Sequence, residues 1–172
     1  MGGVDPLAYF ITFRTYATWL HGDDRGAVDR THNQYGTPVL PPDARWSEYE
    51  RSMAAPPSEL DDRARAVVDR TIQQVCSHNR WVLAALNVRT NHVHAVVSAH
   101  VAPDLVMTSL KSWSTRRLRE AGLVEPEAKV WSRHGSTRWI WTDRGYSRAV
   151  HYTQYEQGDG RVPEFESSPA GG

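Results

Sequence analysis

The sequence predicts an α+β domain whose elements run strand, helix, strand, strand, helix, strand, followed by one more helix. Three observations carry that expectation. Two stretches, 58–78 and 102–121, repeat apolar residues at helical spacing and separate runs rich in β-branched and aromatic residues. The two middle runs are joined only by Arg89-Thr90-Asn91, short enough for an antiparallel hairpin. Adding the outer runs gives βαββαβ, a four-stranded antiparallel sheet with both intervening helices on one face, as in ferredoxin-like folds.

The first strand is expected at Ala8–Thr15, where Tyr9, Ile11 and Phe13 alternate with Phe10, Thr12 and Arg14, a strand with one buried face. Residues 22–57 break the pattern with Gly22-Asp23-Asp24-Arg25-Gly26 and Pro41-Pro42-Asp43 and read as a long loop insertion. The first helix should open at Ser58, whose hydroxyl can cap it with Asp61 three residues on, and run to about His78 through Leu60, Ala64, Val67, Thr71 and Val75. Trp81–Val88 and His92–Ala99 form the hairpin. Ala102-Pro103-Asp104 starts the second helix, which presents Leu105, Val106, Leu110, Trp113 and Leu118 on or near one face and stops at Gly122. Lys129–Trp141 reads as extended, with Trp and Arg interleaved around a Gly135-Ser136 turn. The last helix spans Thr142 to Gln157 with Gly158 as its stop. That gives a domain over 1–158 and a Gly, Ser and Pro-containing tail over 159–172, expected to be disordered.

With 172 residues, 40% of them hydrophobic, the chain suits one core of ordinary size. No run of eighteen apolar residues suggests a membrane span, the N-terminal residues lack the basic and apolar parts of a secretory signal, and the single Cys76 excludes an internal disulfide. A cytoplasmic protein follows, with Cys76 as a small buried hydrophobe in the first helix. The net charge is zero, which does not advertise nucleic-acid binding. It is nevertheless segregated: 111–138 carries seven basic and three acidic residues, 43–62 two basic and six acidic.

The chemistry concentrates in Asn91-His92-Val93-His94. Alternate residues of a strand share a face and lie about 6–7 Å apart along it, so His92 and His94 can approach one ion while Val93, Ala95 and Val97 turn to the core. Two imidazoles on a rigid strand make part of a divalent-metal site. On the last helix, Tyr152 and Glu156 are four residues apart and therefore neighbours. Laid across the histidine strand, that helix would supply a nucleophile, a third ligand and an open coordination position.

Together these pieces resemble the single-tyrosine HUH transposases, in particular their REP-associated tyrosine transposase branch. His92-Val93-His94 stands where that family carries its histidine pair, Val150-His151-Tyr152 where it carries its nucleophile, and Glu156 where it places a polar ligand, often Gln or Asn. The departure from the usual residue leaves Glu156 and Gln157 both open as third ligand. The resemblance spans Tyr9 to Gly158 and includes the Trp and Arg-rich strand with Trp131, Arg133 and Trp139-Ile140-Trp141.

The resemblance implies one Mg²⁺ or Mn²⁺ ion held by His92, His94 and Glu156. It also implies attack of Tyr152 on single-stranded DNA beside a hairpin, leaving a 5′-phosphotyrosine link that a second 3′-hydroxyl can reverse. Lys111, Arg116, Arg117, Trp131, Arg133 and Arg138 are the candidate DNA contacts. The tryptophans serve equally well as core on the residues alone. The setting implied is a bacterial cytoplasm with nucleoid DNA as substrate, and the protein acts as a monomer or a homodimer. Two other readings remain: a metal-dependent nuclease using water, in which Tyr152 is only structural, and a domesticated hairpin-binding protein that no longer cleaves.

Overall fold

The computed structural model describes residues 5–16 and 59–155. In chain order they form β1 (Ala8–Thr15), α1 (Asp62–His78), β2 (Val82–Val88), β3 (His92–Ser98), α2 (Pro103–Glu120), β4 (Trp131–Ile140) and α3 (Asp143–Tyr155). The strands make one antiparallel sheet in the order β2-β3-β1-β4. This is the expected βαββαβ arrangement, with β1 and β3 paired at its centre. The loop over 22–57, the Ser58 cap, Glu156, Gln157 and the tail over 159–172 lie outside the described residues.

Helices α1 and α2 pack on each other and on one face of the sheet. There Tyr9, Ile11 and Phe13 of β1 and Val93, Ala95 and Val97 of β3 meet Ala64, Val68, Ile72 and Val75 of α1 and Val106, Leu110 and Leu118 of α2. The first helix is capped by Asp61, whose carboxylate accepts the Ala64 amide at 2.7 Å, so it begins later than a Ser58 cap would place it. The face that α2 buries is rotated from the expected one: Val106, Met107, Leu110, Ser114 and Leu118 are inside, whereas Leu105 and Trp113 are exposed. Gly122 follows the Ala121 C-cap with a left-handed φ of 65°, the conformation expected of glycine there. Cys76 is buried as expected, and burial pushes its thiol up to about 11.

Two expectations change. β1 has two buried faces, because α3 lies on the other side of the sheet and packs Tyr152 and Ala149 against Ala8, Phe10, Ala85, Val96 and Ile140. Gly135 is no turn; β4 runs straight through it, paired with Phe13. A Cβ there would sit 2.5 Å from the Thr12 carbonyl oxygen and against the Met107 sulfur. Met107 can move, but the strand carbonyl cannot without shifting Thr12. Gly135→Ala is therefore expected to cost about 1–3 kcal/mol, as overpacking does, measured as a lowered urea midpoint. An unchanged midpoint would show that this approach is not tight.

Candidate functional site

β3 carries His92 and His94 on the face opposite α1 and α2. The register sets His94 across from Thr12 on one side and Asn87 on the other, and His92 across from Arg14. The imidazole centroids are 4.7 Å apart. His94 is buried and stacks on Phe10 at 5.3 Å, which fixes its ring plane. Each ring is also held at Nδ1: His94 hydrogen-bonds the Thr12 hydroxyl at 2.8 Å, and His92 meets the Asn91 side-chain oxygen at 2.6 Å. An amide oxygen only accepts, so His92 Nδ1 must donate, and in the neutral ring the lone pair then sits on Nε2. Hydrogen bonds of this kind at the other ring nitrogen are what orient histidines in metal sites.

Burial, then the fields of His92, Arg14 and Arg89, hold His94 down at about 3, well below an ordinary histidine. It is therefore neutral at pH 7, the form in which an imidazole can ligate a metal. The consequence for stability has a definite sign. Below pH 6.5 the unfolded chain takes up a proton that the folded His94 refuses, so stability present above that pH drains away as pH falls toward about 3. The slope is at most roughly 1.4 kcal/mol per unit. Metal-free protein is expected to lose more of its urea midpoint between pH 7 and pH 5 than His94→Gln does; equal losses would contradict the assignment.

α3 brings Tyr152 to the same face. Thr142 caps the helix, its hydroxyl accepting the Gly145 amide at 3.0 Å, and the small residues Ala8, Ala85 and Ala149 surround its contact with the sheet. Asn87 Nδ2 donates to the Thr153 carbonyl at 3.0 Å and ties the far end of α3 to β2. Tyr152 is 5% exposed, with its ring centroid 5.9 Å from both His94 and Phe10. The nucleophile candidate and the histidine pair, separated by almost sixty residues, thus share one apolar-floored site.

Among the described residues no third His, Cys, Asp or Glu joins the pair. The donor set nonetheless fits a divalent ion in part: one imidazole held neutral, another with its lone pair on Nε2, and both oriented by hydrogen bonds.

The six DNA candidates do not converge on this site. Lys111 is spent on structure: its Nζ donates to the Ser132 and His134 carbonyls at 3.0 and 3.1 Å, and burial lowers its pKa to about 8. Trp131 donates to the Lys111 carbonyl at 3.1 Å and packs edge-on against Phe13, on the α1–α2 side of the sheet. Arg116 and Arg117 both pair with Glu120 on α2. Arg133 is exposed and lines a shallow groove with Lys111, Arg119 and Lys129 on that same side. Arg138, opposite Phe10 on β1, is on the histidine face. The sequence reading missed Thr12 and the cations Arg14 and Arg89. Thr12 and Arg14 stood in view as the polar members of the β1 alternation.

Residues 58–150 match the family model for IS200-like transposases, and 93 of 172 residues is more than half of the chain. The chain belongs to the IS200-like transposase family. The match includes the histidine pair and ends two residues before Tyr152. This transposase shares its fold with a Deinococcus radiodurans protein provisionally assigned as a transposase, at 19% identity and a TM-score of 0.50, over 90% of this chain and 93% of that one. A REP-associated tyrosine transposase solved with a REP hairpin aligns at 12% identity and a TM-score of 0.48, over 91% of this chain and 69% of that one. No curated protein matches the chain. The family expected from the residues is the family found, and the protein is a DNA transposase.

Proposed function

We propose that this transposase cleaves and rejoins single-stranded DNA at hairpin-associated sites through a 5′-phosphotyrosine on Tyr152. His92 and His94 would be ligands of one divalent ion, Mg²⁺ or Mn²⁺, with Glu156, four residues after Tyr152 in the sequence, as the third ligand. The observation that carries the proposal is the contact between the Tyr152 and His94 rings at 5.9 Å, on one buried face.

A phenol with a pKa near 10 is ionised in only about one molecule in a thousand at pH 7, so attack on phosphorus needs the developing charge to be offset. When bound, the ion would polarise the scissile phosphate, an effect worth several kcal/mol in general. Asn91 and Thr12 hold the imidazoles in place for that ion. Tyr152 Oη loses its proton and bonds to phosphorus as the bond to the 3′-oxygen breaks, and the departing 3′-oxygen takes up a proton. The phosphodiester energy is conserved in the Tyr152 link, so a 3′-hydroxyl can attack it, form a new phosphodiester and release the phenol.

Incubation with hairpin-bearing single-stranded oligonucleotides and Mn²⁺ tests this. A covalent protein–DNA species on a denaturing gel is expected. Cleaved DNA with no such species would favour the water-using nuclease instead.

A further inference from the structure

His92 has an arginine on each side of it in the sheet. The register places Arg14 of β1 opposite His92 on one flank. On the other, the Arg89 amide donates to the His92 carbonyl at 2.8 Å, which makes these two residues the closing pair of the β2–β3 hairpin. Paired residues of neighbouring strands project to the same face, with Cβ atoms about 4.5–5.5 Å apart. Both arginine side chains therefore start on the histidine face, and both charges are felt at His94, one row away. That adjacent row, Asn87, His94 and Thr12, is the one α3 meets through Tyr152 and Thr153. Arg89, His92 and Arg14 form the next row along, about 6–7 Å further.

The backbone that carries these cations is fixed. The Thr15 amide and hydroxyl both donate to the Asn91 carbonyl, at 2.9 and 3.2 Å, and the Leu60 amide donates to the Thr90 carbonyl at 2.7 Å. The hairpin turn is thereby tied to β1 and to the chain leading into α1. Arg14 is half-buried and Arg89 exposed. None of the four strands carries an acidic residue, so the strands add only positive charge to this end of the face.

Two guanidinium groups beside a ligand of a divalent ion make that ion harder to bind alone. An anion among them reverses the sign. The planar fork of arginine matches the oxygens of a phosphate, and groups held in place beforehand act on charge that develops there without having to reorganise. We infer that Arg14 and Arg89 hold the scissile phosphate from either side of His92 and offset the charge that develops on it. The inference rests on the reading that Tyr152 attacks single-stranded DNA, and it adds two catalytic residues to that site.

The test has a metal arm and two DNA arms. In calorimetry without DNA, Arg89→Gln is expected to bind Mn²⁺ about threefold more tightly than the wild type, because a like charge has gone. An arginine that merely braced the histidines would weaken Mn²⁺ binding when replaced. At saturating Mn²⁺ and saturating hairpin oligonucleotide, covalent adduct formation by Arg14→Gln and by Arg89→Gln is expected to slow about 100-fold, with Arg89→Lys intermediate. Fluorescence anisotropy with a labelled oligothymidylate and Mn²⁺ should show the slope of log affinity against log salt flattened by about 0.7 in Arg14→Gln/Arg89→Gln, the share of one phosphate. Unchanged or weaker Mn²⁺ binding by Arg89→Gln, or an unchanged salt slope in the double variant, overturns the inference. Thermal midpoints equal to the wild type exclude misfolding as the cause of a loss. Absence of any adduct from the wild type overturns the tyrosine chemistry instead, while Mn²⁺ affinity and salt slope still decide whether the two arginines face the ion and hold a phosphate.

Discussion

Tyr152→Phe is expected to abolish the covalent protein–DNA species while leaving the fold and most DNA binding in place. The substitution removes one oxygen and keeps the ring that packs against Phe10 and His94. Removal of a single buried hydroxyl should change stability by no more than about 1–2 kcal/mol. If the hydroxyl is the nucleophile, no neighbouring group replaces it in this rigid site; Tyr155 is on the exposed flank of α3. Cleavage by Tyr152→Phe at a rate near the wild type would mean that water is the nucleophile and would reduce Tyr152 to packing.

The second large effect is expected from the histidines. His92→Ala and His94→Ala each remove an imidazole from the proposed ion, and loss of several kcal/mol of transition-state stabilisation is roughly a hundred- to thousandfold in rate. Binding of hairpin DNA should largely survive, since it draws on the cations rather than the ion. His92→Ala is the cleaner of the two, because His94 is buried and its loss also leaves the Thr12 hydroxyl without that partner. Asn91→Leu gives a milder form of the same defect. It keeps both ligands but removes the acceptor that fixes the His92 tautomer, and Mn²⁺ affinity measured by calorimetry should fall about 10–100-fold. Wild-type Mn²⁺ affinity in Asn91→Leu would show that the hydrogen bond does not orient the ring.

Much of the fold was legible because two periods are easy to tell apart. The alternation in Ala8–Thr15 and His92–Ser98 and the helical spacing in Asp62–His78 placed those elements within a few residues. What escaped has physical reasons. The second buried face of β1 depends on α3 docking through Ala8, Ala85 and Ala149, small residues with no periodic signature. Gly135 looks like a turn in sequence, yet its missing Cβ serves a close approach of Thr12 and Met107 across the sheet. The pairing of Arg116 with Glu120 stands at helical spacing and could have been read from the sequence. The histidine pair and Tyr152 were legible as a pattern, whereas Thr12, which is 82 residues from His94, joins them only through β-sheet register.

The central claim is that one phenol, beside the paired imidazoles, carries the DNA. Peptide mapping of the covalent species by mass spectrometry tests it most directly. A nucleotide adduct on Tyr152, formed only with a divalent ion and lost in His92→Ala, is the expected result. An adduct on Tyr155, or one that forms equally well in EDTA, would contradict it.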